Sequence, residues 1–165
     1  MSRLLALDIS NSVGWALLER GCDPRWGTWP MPVETVERYE RRGAALWHWL
    51  QESVSVFQPH AIAAEAPLIP NSHNPVSTTT DTVIFLSGSV YIAGAVAGDR
   101  GLRFERVHHD DAKIALLGTA RNVKKIDMIA ACFERGWRVQ NDHEADAIGV
   151  GLHIYDEIFP PRAAA

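Results

Sequence analysis

The sequence has only two cysteines, and Cys22 and Cys132 stand alone, without the spacing of a cysteine metal site. Nothing in it indicates a disulfide-stabilised secreted domain, so we expect a reduced, cytoplasmic setting. Long apolar runs are also absent. The longest uncharged apolar stretch, residues 83–97, is 15 residues long and contains glycine and serine. A membrane-spanning helix takes about 20 residues, so we predict no membrane partner. Asp8 interrupts the first apolar run, which argues against a signal peptide.

An overall excess of positive charge is missing too. The net charge is −4, which argues mildly against a nucleic-acid partner. The charges are unevenly distributed, however. Residues 100–138 contain nine Lys/Arg and five Asp/Glu, whereas the rest of the chain contains seven basic and fifteen acidic residues. A basic segment on a mildly acidic protein can form a DNA-binding face, although most charge clusters are only solvated surface.

The apolar patterns predict a single α/β domain over residues 1–158, followed by a C-terminal tail over 159–165. Three short strands come first, and a helix with apolar residues every three or four positions follows. The predicted order is β-β-β-α-β-α-β-α-α-α, with strands near 3–9, 13–19, 25–30, 61–67 and 102–107, and helices near 34–57, 81–97, 110–118, 123–136 and from 142 onward. This order is typical of the ribonuclease H-like arrangement. It predicts a mixed five-stranded sheet, made of a three-strand meander and parallel strands, with helices on both faces.

Three acidic residues fall at the ends of otherwise apolar elements. Asp8 ends the first strand, Glu65 ends the fourth, and Asp146 opens the last helix. If strands one and four are parallel neighbours, these side chains meet at one rim of the sheet, where α/β proteins place their sites. Clustered carboxylates repel one another, and a divalent cation relieves that repulsion. Mg²⁺ prefers such oxygen ligands, and two ions about 3.5–4 Å apart support phosphodiester hydrolysis.

The last helix offers further candidate ligands. His143 lies three residues before Asp146, and Asp142 lies four before it, so either could share a metal with Asp146. The residues alone do not decide between them. Glu144 points nearly opposite and stands three residues after Asn141, as in a capping box, so we interpret it as a helix cap. A single acid at a strand end is more often a turn or cap residue, and Asp8 before "ISNS" could begin an Asx-turn.

Four segments, "LLALDISNSVGWALLE", "QPHAIAAEAP", "HDDAKIALLGTARNVKKIDMI" and "DHEADAIGVGLHIY", resemble RuvC-type Holliday junction resolvases in order and spacing. The resemblance covers roughly residues 3–155 and is nearer to the short phage or prophage members. It implies a homodimer in the cytoplasm of a bacterium or of a phage-infected cell. It also implies a nuclease that uses Mg²⁺ or Mn²⁺ to resolve four-way or branched DNA junctions, leaving 5′-phosphate and 3′-hydroxyl ends.

The resemblance also implies roles for individual residues. By position, Asp8, Glu65, His143 and Asp146 match the catalytic metal ligands, with Asp142 as a substitute for His143. Lys113 matches the family's catalytic lysine before the glycine loop, where a cation could steady the charge that develops on the phosphate. The DNA contacts that it implies are Leu68, at the position of an aromatic wedge, and Thr78, Thr79, Arg121, Lys124 and Lys125.

The chain departs from the family pattern at several positions. The first turn reads "DIS" rather than "DPG", the "GTARN" loop is about two residues short, and Asn122 stands where a lysine is common. These differences put junction sequence preference in doubt. Three alternatives remain: a ribonuclease H-like nuclease for flaps, ends or RNA–DNA hybrids, a non-catalytic junction-binding protein, and a sugar-kinase-like ATP-binding protein. The last would need two domains of this type, which 165 residues cannot supply.

Overall fold

The computed structural model describes residues 2–32, 39–67 and 79–161. Its five strands form one sheet in the order β3-β2-β1-β4-β5, with β1 at the centre. The strands are β1 (Arg3–Ile9), β2 (Ser12–Glu19), β3 (Arg25–Pro30), β4 (Ala61–Glu65) and β5 (Arg103–Val107). The first three pair antiparallel, as the predicted meander requires, and β4 pairs parallel with both β1 and β5. The predicted mixed sheet is therefore confirmed.

The helices also follow the predicted order. They are α1 (Tyr39–Phe57), α2 (Thr80–Asp99), α3 (His109–Leu117), α4 (Lys125–Glu134) and α5 (Asp142–Ile158). The predicted start of α1 near residue 34 lies outside the described residues. Helix α4 begins two residues later than predicted, because Asn122 has a left-handed backbone with φ 57° and Lys124 is the N-cap. Helix α5 ends at Ile158, where the sequence-based division between domain and tail was placed, and that division stays a prediction.

The sheet separates two hydrophobic cores. On one face, α3, α4 and α5 pack against alternate residues of the strands, including Leu4, Ala6 and Ala63. On the other face, α1 and α2 pack against the intervening residues of the same strands, including Leu5, Leu7 and Ala64. Successive side chains of a strand point to opposite faces, so this division follows directly from the strand sequences. The predicted helices on both faces are confirmed.

Helix α2 is long and apolar enough to cross a membrane by length and composition alone. Its 20 residues exceed the 15-residue uncharged run seen in the sequence, because the helix includes Asp81 and Asp99 near its ends. Core helices pass the same test, and Phe85, Ala93 and Val96 of α2 are buried beneath the sheet. Ile84 and Tyr91 of the same helix are exposed.

Candidate active site

The sheet brings the carboxylates of Asp8 and Glu65 to one rim. In the parallel pairing of β1 with β4, Leu7 is in register with Ala64, so the next residues of the two strands lie at the same level. Ala6 and Ala63, two positions earlier, face the core beneath α5. Strand alternation therefore directs Asp8 and Glu65 to that same face, towards α5. The predicted convergence of the two strand ends is what the structure shows.

Helix α5 adds His143 and Asp146 to this rim. The Nδ1 atom of His143 lies 2.6 Å from Oδ2 of Asp8, which is a hydrogen bond. Asp146 lies one turn further along α5, near enough to Asp8 and Glu65 to affect the pKa of Glu65. Asp142 instead forms an ion pair with Lys125 of α4. Of the two residues that the sequence left open as the fourth ligand, the structure places His143 against Asp8.

Gly14 makes this contact feasible, and the sequence reasoning missed it. Gly14 on β2 is the partner of Asp8 in the β1–β2 register. A Cβ atom at Gly14 would lie 2.0 Å from the backbone oxygen of His143, so no side chain fits there. The signal was a glycine inside a strand, which often marks a close approach of another backbone. Here that approach brings the first turn of α5 onto the sheet.

The N-terminus of α5 is fixed by polar contacts. The side chain of Asn141 accepts a hydrogen bond from the N–H of Glu144, as a cap does. The buried carboxylate of Glu144 accepts from the N–H of Gln140 at 2.7 Å and from the hydroxyl of Thr28 at 3.0 Å. The capping role of Glu144 is thus confirmed in outline, but its reciprocal bond goes to Gln140 rather than to Asn141. The Thr28 bond also ties α5 to the edge strand β3.

Gly149 and Gly151 of α5 allow close approach to two different neighbours. A Cβ at Gly151 would lie 2.3 Å from Leu18 of β2, so Gly151 does face the sheet. A Cβ at Gly149 would lie 2.8 Å from the backbone oxygen of Ala112, so Gly149 faces α3 instead. The two glycines meet different neighbours because residues two positions apart on a helix, at ~100° per residue, point in different directions.

The electrostatics of the rim favour a cation. Burial, together with the nearby charges of Asp8 and Asp146, raises the pKa of Glu65 to about 8. Burial, Asp8 and Asp142 likewise raise the pKa of Asp146 to about 7. The hydrogen bond to Asp8 raises the pKa of His143. Three neighbouring carboxyl groups, two of them with raised pKa values, and an imidazole beside them are a donor set that fits a divalent cation.

A cavity of about 200 Å³ opens beside the carboxylates and is lined by cationic side chains. Lys113 of α3 lines it together with Lys124 and Lys125. Lys113 lies close enough to Glu65 to oppose the rise in the pKa of that carboxyl. The three predicted lysines are therefore brought to one opening, next to the acids. Their positive charges suit an anionic ligand such as a phosphate group.

The other predicted DNA contacts either lie outside the described residues or belong to separate elements. Leu68 and Thr78 lie outside the described residues. Thr79 is the N-cap of α2, where its hydroxyl accepts from the N–H of Thr82. Arg121 is exposed in the turn between α3 and α4. Asn122, which replaces a common lysine, suits its position because asparagine adopts left-handed backbone angles more readily than lysine does.

Comparisons with known proteins agree with this architecture. No protein-family model matches the chain, and no curated protein matches it. Among solved structures, RuvC of T. thermophilus in complex with a Holliday junction substrate has a TM-score of 0.70 at 13% identity, covering 96% of this chain and 97% of that one. A second Thermus thermophilus RuvC structure has a TM-score of 0.70 at 16% identity, covering 94% and 96%. The yeast mitochondrial Holliday junction resolvase Ydc2 has a TM-score of 0.59 at 12% identity, covering 92% and 77%. The chain therefore has the ribonuclease H-like fold of RuvC.

Proposed function

We propose that this chain is a RuvC-type, metal-dependent endodeoxyribonuclease that cuts four-way or branched DNA junctions. One observation carries the proposal. Asp8, Glu65, His143 and Asp146 come from three separate elements and meet at one rim, in a fold shared with RuvC over nearly the whole chain. Within this cluster the carboxyls of Glu65 and Asp146 have raised pKa values, and strongly perturbed carboxyls of this kind are common at functional sites.

These four residues would hold Mg²⁺, or Mn²⁺ in its place, as a pair of ions. When bound, the ions would activate a water for attack on a phosphodiester and stabilise the departing 3′-oxygen, leaving a 5′-phosphate and a 3′-hydroxyl. His143 holds its Nδ1 against Asp8 and so orients that carboxylate. Gly14 keeps the two elements close enough for this contact. Neutral imidazole and ionised carboxylates are the forms that bind metal, so binding would displace protons from this cluster.

The lysines would place the DNA. Lys113 is only partly exposed and lies in the cavity beside Glu65, where it would contact the scissile phosphate. Lys124, Lys125 and Arg121 form an exposed basic edge after α3 and would contact the flanking backbone. Such phosphate contacts carry no sequence information, so shape selects the branched substrate. Thr79, and by the sequence resemblance Leu68 and Thr78, would be further DNA contacts.

Resolution of a junction needs two opposed cuts, so we infer a homodimer. The exposed apolar side chains of Ile84 and Tyr91 on α2 lie on the sheet face away from the carboxylates. A surface on that side can be covered by a second copy while the rim stays open. Sedimentation at several concentrations tests this part separately from cleavage.

The proposal is tested by a cleavage assay on a synthetic four-way junction beside flap, linear duplex and RNA–DNA hybrid substrates. Wild-type protein should cut the junction in Mg²⁺ or Mn²⁺ and be inactive in EDTA. Asp8→Asn should bind the junction and fail to cut it. His153→Ala, an exposed position on the far part of α5, serves as the matched control. Preference for flaps or hybrids would identify another ribonuclease H-like nuclease, and binding without any cutting would identify a junction-binding protein.

A further inference from the structure

A second group of metal-ligating side chains lies at the start of α3, apart from the carboxylates. His108, His109 and Asp110 each offer one ligand atom, and these atoms all lie within 4.8 Å of one another. The sequence analysis assigned them no role. His108 and Asp110 are well exposed, so an ion from solvent could reach them. His109 is largely covered and also lines the 200 Å³ cavity beside Glu65.

The spacing suits a common ligand. Nε2 of His109 lies 3.0 Å from Oδ1 of Asp110. Two ligands that each lie about 2.0–2.2 Å from one tetrahedral zinc ion are about 3.3–3.6 Å apart, so this pair needs to separate by only a few tenths of an ångström. Nδ1 of His108 lies 4.0 Å from Oδ2 of Asp110, and the two imidazole rings lie 4.3 Å apart between centroids. A modest rotation of the exposed His108 ring would bring the third ligand into place.

A further observation concerns the His109 ring. Its Nδ1 is buried and, among the described residues, has no hydrogen-bond partner. The other ring nitrogen, Nε2, is turned towards Asp110. A cation between Nε2 and the carboxylate would take the place of the direct contact between these two side chains. It would compete for Asp110 with Lys113, whose Nζ lies 3.6 Å from the same oxygen.

We propose that His108, His109 and Asp110 bind a transition-metal cation of the Zn²⁺ class. Imidazole ligands favour zinc, copper or nickel over magnesium, whereas the carboxylate rim favours magnesium. The chain would thus hold two kinds of cation at neighbouring but separate places. Because Asp110 also contacts Lys113, occupancy would draw the carboxylate away from that lysine. The site stands independently of the proposed nuclease function, since its ligands are the N-cap and first two residues of α3 and none of them is one of the four rim residues.

The test is Zn²⁺ binding to the full chain, measured by competition with a chromophoric chelator and by the ring signals of the histidines in NMR. His108→Asn/His109→Gln removes both imidazoles, and asparagine preserves the N-cap that His108 supplies to α3. Asp8→Asn/Asp146→Asn disables the carboxylate rim, where Zn²⁺ could also bind. His48→Ala, an exposed histidine on α1, is the matched control.

The expected result is that the Asp8/Asp146 variant and the His48 variant keep a Zn²⁺ ion that the His108/His109 variant loses. The ring signals of His108 and His109 should shift on Zn²⁺ addition and not on Mg²⁺ addition. Equal Zn²⁺ binding by the wild type and the His108/His109 variant, with unchanged melting temperatures in EDTA, would overturn the proposal. So would complete loss of Zn²⁺ from the Asp8/Asp146 variant, because the rim would then account for all binding. Cleavage is not measured, so failure of the nuclease proposal would not alter either outcome.

Discussion

Replacing Glu65 with glutamine should stabilise the cation-free protein at alkaline pH and leave it nearly unchanged at pH 5. In the folded protein Glu65 keeps its proton up to about pH 8, because burial and the charges of Asp8 and Asp146 oppose its ionisation. In the unfolded chain the same group ionises near its ordinary value of 4.5. The unfolded state therefore binds fewer protons between these values. The stability that depends on Glu65 is fully present below about pH 4.5 and is lost as the pH rises towards 8.

The size of the effect follows from that interval. Each pKa unit corresponds to 1.36 kcal/mol, so between pH 5 and pH 9 the wild type should lose on the order of 4 kcal/mol through Glu65. Glutamine does not ionise and resembles the protonated carboxyl in shape. The Glu65→Gln protein should not show this loss, so the difference in the free energy of unfolding between the two proteins should increase as the pH rises.

The assay is urea denaturation in EDTA at pH 5, 7 and 9. Glu134→Gln, an exposed carboxylate at the end of α4, is the matched control and should follow the wild type at each pH. Adding Mg²⁺ at pH 9 should narrow the gap, because a cation at the rim offsets the charge of the ionised wild-type carboxylate. A difference between Glu65→Gln and wild type that stays constant from pH 5 to pH 9 would refute the reasoning, since a burial effect without ionisation has no pH dependence.

Three further predictions concern the same rim. Gly14→Ala should lower the free energy of unfolding by about 3 kcal/mol or more in thermal unfolding, because its Cβ would overlap the His143 backbone. Gly88→Ala, the control, has open space around it and should change the free energy of unfolding by no more than about 1 kcal/mol. Equal effects of the two substitutions would show that Gly14 makes no tight contact. Lys113→Ala should slow junction cleavage about a hundredfold in single-turnover assays while junction affinity changes only a few-fold, and the reverse pattern would make Lys113 a docking residue. Asp142→Asn should change stability by less than about 1 kcal/mol, since Lys125 is exposed, and should weaken Mg²⁺ binding far less than Asp146→Asn does in calorimetry. A larger loss for Asp142→Asn would make Asp142 the ligand in place of His143.

The order of elements was predictable from the sequence because the strands are short and bounded by turn residues, and β1, β2 and β4 are largely apolar. The placement of Asp8 and Glu65 followed from the same pattern, since the ends of two parallel neighbours must meet. The structure agrees with both. Helix ends were predicted less well where backbone geometry intervened, as at Asn122, whose left-handed angle delays the start of α4.

The details of the rim depend on contacts between distant parts of the chain. Spacing along α5 made His143 and Asp142 equally good candidates for the fourth ligand. Only the approach of α5 to β1 places His143 against Asp8. The role of Gly14 depends on the same approach, and although a glycine inside a strand signals a close contact, the sequence does not show that His143 makes it. Thr28, on β3, was likewise an unforeseen partner of Glu144. The roles of the rim residues in catalysis stay predictions until the variants are measured.

The sheet keeps the acids and the apolar helix α2 on opposite sides of a single layer of backbone. Surface substitutions at Ile84 or Tyr91 on the far side therefore need not disturb the near side, provided that the buried residues between are kept. The exposed surface of α2 could therefore be redesigned to give an obligate monomer or a fused tandem protein, while the carboxylate rim is left unchanged. Such a separation would let the proposed self-association and the proposed cleavage be removed one at a time in living cells.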